Sequence, residues 1–65
     1  MKTIKKLDKD TVLEEIKMSG TTAKMVTPFD TWIVINEDGS YYKDEFGYWM
    51  NRVKKIAQKY ADSLN

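Results

Sequence analysis

Apolar positions along the chain follow two different spacings, and the polar residues between them mark the turns. Thr31-Trp32-Ile33-Val34-Ile35 is too short for a helix and rich in β-branched types. It predicts a strand buried on both faces. Glu37-Asp38-Gly39 then turns the chain, with Asp and Gly where tight-turn dihedrals are tolerated. Ser40-Tyr41-Tyr42-Lys43 returns as the partner strand. Thr21–Thr27 has strand character from its Thr and Val, and Pro28-Phe29-Asp30 breaks it. Residues 21–43 therefore predict a three-stranded antiparallel meander with 31–36 in the middle.

The flanking stretches carry helical spacing. Asp8 reads as an N-cap with Leu7 and Val12 placed as a hydrophobic staple, and Thr11 with Glu14 offers a second capping box. Val12, Leu13 and Ile16 form an apolar stripe, and Ser19-Gly20 supplies a C-terminal stop. This predicts a helix over 9–18, with residues 1–7 as an anchored lead-in. Asp44 reads as the cap of a last element in which Phe46, Trp49, Met50, Val53, Ile56, Ala57, Tyr60 and Leu64 recur every three or four residues. That predicts a long amphipathic helix over 45–63, with Gly47 near its start costing up to ~1 kcal/mol relative to Ala. The expected fold class is α+β, a single domain over 1–65: helix, three-stranded antiparallel meander, long C-terminal helix packed on the sheet. The expected core takes Ile33 and Ile35 from the sheet and Val12, Leu13 and Ile16 from the first helix. Phe46, Met50, Val53, Ala57 and Tyr60 complete it from the second.

Composition sharpens this. A chain of 65 residues buries only roughly 60% of its unfolded surface, so its stability is marginal without a staple. It has no Cys and no His, hence no disulfide and no thiolate or imidazole metal ligand. No metal and no cofactor are expected, and a homodimer is one way to supply the missing burial. Eleven basic against ten acidic residues give a net charge of +1, which excludes the footprint of a dedicated DNA coat and that of an acidic DNA mimic. Lys2 to Lys6 resembles the basic start of an export signal, but Leu7-Asp8-Lys9-Asp10 stands where an apolar segment would be needed. No run approaches the ~18 apolar residues of a membrane span. No export and no membrane partner are expected, and the localisation expected is cytoplasmic.

Catalytic chemistry finds little to work with. Ser and Thr have no imidazole beside them, so base work would fall to carboxylates, Lys or Tyr. Asp44 and Glu45 are neighbours that a helix would point apart, which reads as a cap and a dipole partner. Asn36 to Ser40 lacks the acidic spacing of a calcium loop, and three glycines make no phosphate-cradling loop. The chain is not expected to be an enzyme.

Surface recognition is better represented. On a continuous helix at ~100° per residue, Tyr48, Arg52, Lys55 and Lys59 fall within ~60° of one another, away from the apolar stripe. Three cations in line with an aromatic suit phosphates or an acidic protein; the plainer reading is a solvated helix face. Trp32, Tyr41 and Tyr42 add aromatic surface on the sheet, where one helical layer covers only one face. These seven residues are the expected partner-binding set. A helix-turn-helix starting its second helix at Thr21 is disfavoured by the Thr-rich segment before Pro28. The expected function is a small non-catalytic protein-binding module, of the inhibitor, adaptor or accessory-subunit type often met among phages and mobile elements. The alternative is a nucleic-acid binder using the basic helix face with aromatic stacking.

Overall fold

The strand over Thr31–Ile35 is the centre of the computed structural model, which describes residues 1–65. Three strands form the main sheet, in the order β1 (Thr3–Leu7), β4 (Thr31–Ile35), β7 (Met50–Asn51), all antiparallel. β1 pairs with β4 along its whole length, from Thr3–Ile35 to Leu7–Thr31, and β7 pairs through Trp32–Asn51 and Ile33–Met50. Between β1 and β4 the chain leaves the sheet as a hairpin of β2 (Thr11–Met18) and β3 (Thr21–Thr27). A short hairpin, β5 (Lys43–Asp44) with β6 (Gly47–Tyr48), precedes β7, and α1 (Lys54–Ser63) closes the chain.

Ile33 and Val34 are adjacent and both fully buried, so the central strand is covered on both faces. Strand alternation puts Trp32 and Val34 on one face and Thr31, Ile33 and Ile35 on the other. Lys54 lies over the Trp32 ring, with Nζ 5.2 Å from its centre, which sets α1 on the Trp32–Val34 side. Ala57 and Ala61 are the buried residues of α1, and side chains that small let the helix backbone approach the sheet closely. On the opposite face Met50 stands beside Ile33, and the Thr27 hydroxyl donates to the Met50 sulfur at 3.1 Å.

The expected α+β arrangement of helix, three-stranded meander and long C-terminal helix is overturned: the chain is mostly antiparallel sheet with one short helix at its C-terminal end, and three expected elements change. Residues 9–18 are not a helix: Thr11–Met18 is strand β2, and 1–7 is not a lead-in but contains β1. The Val12–Leu13–Ile16 spacing arises from a β-bulge between Val12 and Glu14, which breaks strict alternation and imitates a helical stripe. Ser19-Gly20 is a two-residue hairpin turn, with Gly20 at φ 77°, rather than a helix stop. The meander over 21–43 is also overturned, because Thr21–Thr27 pairs with β2 and β4 is flanked by β1 and β7. The turn at 37–39 does form: Ser40 C=O accepts from Asn36 N–H at 2.8 Å, and Tyr41 bridges Ile35. Finally, the helix over 45–63 is confined to Lys54–Ser63. Gly47 at φ 124° cannot be helical, and Asp44 Oδ1 accepts from Phe46 N–H at 2.7 Å to close the β5–β6 turn. Of the expected core, Ile33 and Ala57 are buried, whereas Val12, Ile16, Phe46 and Val53 are exposed; Leu13, Ile35, Met50 and Tyr60 lie half-buried.

Two tests follow from the small core and its turn. Ile33→Ala should lower unfolding stability by about 2–5 kcal/mol in urea melts. Phe46→Ala should stay within about 0.5 kcal/mol, since that ring is 90% exposed. A comparable loss at both would put Phe46 in the core. At the 37–39 turn, the Ser40 hydroxyl and the Ser40 N–H both donate to Asp38 Oδ1, at 2.5 and 2.9 Å, and hold that carboxyl below its ordinary 3.8. A lowered carboxyl contributes stability above its ordinary value and loses it as pH falls through the folded one. The thermal midpoint of the protein should therefore drop as pH goes below about 4, and Asp38→Asn should shrink that drop. An acid response identical in the variant would remove Asp38 from the account.

Candidate interaction surface

The β2–β3 hairpin extends beyond the body and accounts for the elongated outline, 41 × 22 × 20 Å. Eight residues of strand span about 26 Å. Its base is braced. Tyr48 Oη lies 3.3 Å from the Leu13 carbonyl and from the Glu14 carboxylate, and Lys43 Nζ pairs with Glu14 at 3.1 Å. Hydrogen bonding to Glu14 is the main reason the Lys43 ammonium holds its proton above the ordinary 10.5; Coulombic attraction to Glu14 and the Tyr48 hydroxyl add to it, against a smaller loss from burial. Past Glu14 the arm touches chiefly itself.

Cross-strand pairing sorts the arm into two faces. Glu14–Met25, Ile16–Ala23 and Met18–Thr21 share one, and Glu15–Lys24 and Lys17–Thr22 share the other. On the first face Ile16 is 50% and Met18 66% exposed, with Met25 similar to Ile16. Phe46, Leu13, Met25, Tyr48 and Met50 line the hollow where this face meets the β5–β6 hairpin. The second face is polar, with Lys24 Nζ 3.7 Å from Glu15. An apolar face without a layer over it is the exposed patch that sequence reasoning placed on the main sheet.

The seven residues expected to bind partners fall in four places. Trp32 is half-buried beneath Lys54. Tyr41 and Tyr48 meet edge to face at 6.5 Å, and Lys43 Nζ stands 4.8 Å over the Tyr48 ring. Tyr42 packs edge to face on Tyr60 at 6.2 Å, under Lys2, while Tyr60 stacks on Trp49 at 4.2 Å. The aromatics thus serve largely as internal packing between the loops and α1. Tyr48 does not share a helix face with the cations, because it belongs to β6 and Arg52 precedes α1. Arg52, Lys55 and Lys59 are exposed, with no carboxylate within 4 Å. The first turn of α1 holds no acid.

The residues missed were Met18 and Met25, together with the exposed role of Ile16 and Phe46. For Ile16 and Met18 the signal was present in Glu15-Ile16-Lys17-Met18, charged and apolar in alternation, running into the two-residue turn Ser19-Gly20. No three acidic side chains come together in a way that could hold a metal ion. No helix is long and apolar enough to cross a membrane. Comparison with protein families, with curated proteins and with solved structures finds no match to this chain.

Proposed function

We propose that the chain is a small non-catalytic protein-binding module of the inhibitor, adaptor or accessory type, with the projecting β2–β3 arm as its contact surface. The single observation that carries this reading is the uncovered apolar face of the arm, with Ile16, Met18 and Met25 all about half exposed or more. A body that buries only seven residues has little apolar surface to spare, and here a good share of it stands out in solvent on a braced hairpin. Rigid presentation of apolar side chains lowers the ordering cost of association. A cytoplasmic setting agrees with a fold that uses no cysteine. The Lys43–Glu14 and Lys24–Glu15 pairs tie strands together, which supports a structural rather than catalytic use of these charged groups.

A second reading rests on the cations around the start of α1. Lys54 and Lys55 occupy the turn where the helix dipole disfavours positive charge, and Arg52 and Lys59 flank them unpaired. Such a cluster suits phosphates of a nucleic acid.

Photo-cross-linking separates the arm from the rest of the surface. A benzophenone residue at position 18 or 25, expressed in the native host, should give discrete heavier adducts containing protein, and one at position 38 should not. Equal patterns at all three positions, or none, would remove the arm from the function. Binding to a mixed-sequence oligonucleotide tests the second reading. It should fall steeply between low and moderate salt and be lost in Arg52→Glu with Lys55→Glu at unchanged thermal midpoint. Weak, salt-insensitive binding would exclude it.

A further inference from the structure

The arm has two long edges, and they differ. β2 has one hydrogen-bonded neighbour, β3, so its outer edge is free past the base. Counting from the closing pair Met18–Thr21, the backbone groups of Ile16 are spent on Ala23, and those of Glu15 and Lys17 point outward to the free edge. An edge of this kind is a template for another strand.

We propose that this edge recognises a second copy of the same chain, β2 pairing antiparallel with its partner's β2 about a two-fold axis through Ile16. The inference rests on the reading of the arm as a contact surface and names its occupant. The register follows from hydrogen bonding and charge together. With the axis at Ile16, the outward backbone groups of Glu15 lie opposite those of the partner's Lys17, and the same pair recurs across the axis. Each carboxylate then faces an ammonium. Lys17, opposite Thr22 within the arm and without a carboxylate in reach, gains the partner it lacks. Glu15 comes to stand between Lys24 of its own arm and Lys17 of the other. Moving the axis one residue either way sets Glu15 against Glu15 or Lys17 against Lys17, so like charges reject the neighbouring registers.

The apolar face agrees with the same arrangement. Ile16 meets the partner's Ile16 side by side, and with Ala23 at each flank they make one apolar row across four strands. The β3 edge offers no equivalent. Its strand contains Lys24 and no acid, so no register there sets a carboxylate against that lysine. An edge lysine with no acid to answer it opposes such pairing, whereas Lys17 on the β2 edge has the partner's Glu15 opposite.

Charge exchange on the full chain tests this by sedimentation equilibrium over roughly 10 µM to 1 mM, the range suited to an interface below standard size. The natural chain should dimerise. Glu15→Lys and Lys17→Glu should each weaken association about tenfold or more, since each sets two like-charge pairs face to face. An equimolar mixture of the two variants should recover association, because a strand with two cations at these positions then meets a strand with two carboxylates. The double exchange in one chain should also recover it. Recovery in the mixture cannot come from a variant that has failed to fold. A natural chain that stays monomeric, a Lys17→Glu chain that associates undiminished, or a mixture that stays apart would each overturn the pairing. A monomer whose arm still cross-links to a different protein would end self-pairing and leave the arm's role standing; a monomer with a silent arm would end both.

Discussion

Everything in this small body hangs on one strand being covered from both sides. Ile33 and Val34 point in opposite directions and neither reaches solvent. That requires a helix on one face and the loop-and-hairpin layer on the other, and it consumes nearly all the burial the chain can supply. The helix answers with Ala57 and Ala61, which fill little volume but bring its backbone close. Around that centre the remaining packing is aromatic and partial. Trp49 on Tyr60, Tyr42 on Tyr60 and Tyr41 on Tyr48 join short elements that hydrogen bonds alone would hold poorly.

The arm obeys different rules. It has no core of its own, and its stability comes from a tight turn, ladder hydrogen bonds, cross-strand pairs and the brace at its base. Two-stranded ribbons of this kind are marginal by themselves. The bulge near Leu13 matters for that reason, since it bends and twists the strand where the arm leaves the body and lets the Leu13 carbonyl meet Tyr48. The charges near the base tie the arm down, whereas Lys17, farther out, has no acid beside it. The braced charges and the unpaired one are thus separated along a single strand.

The central strand was legible from its composition, and so was the turn at 37–39, because both are signalled by a few adjacent residues whose backbone preferences are strong. Ala57 was legible because genuine helical spacing persists through Lys54–Ser63. What misled were coincidences of spacing. A bulge at Leu13 made a strand look helical, and Phe46, Trp49 and Met50 continued the period of α1 backwards through two strands and a glycine at φ 124°. Pairing partners were illegible for another reason. The main sheet joins β1 to β4 across the whole arm, and no local pattern announces a neighbour that distant in sequence. The exposure of Met18 and Met25 was missed for the same reason, since it depends on 9–18 being a strand of a projecting hairpin and not a helix.

The arm begins and ends at neighbours, since Leu7 and Thr31 are paired across β1 and β4. This bears on the order in which the chain can assemble. Left as a floppy loop, residues 8–30 would oppose that pairing through closure entropy. A hairpin closed by Ser19-Gly20, though marginal alone, closes transiently in about 1–10 µs and brings its two ends together each time. The segment that contributes least to the finished interior is thereby suited to act as the early folding staple, drawing the sheet's distant halves within reach before any side chain is buried.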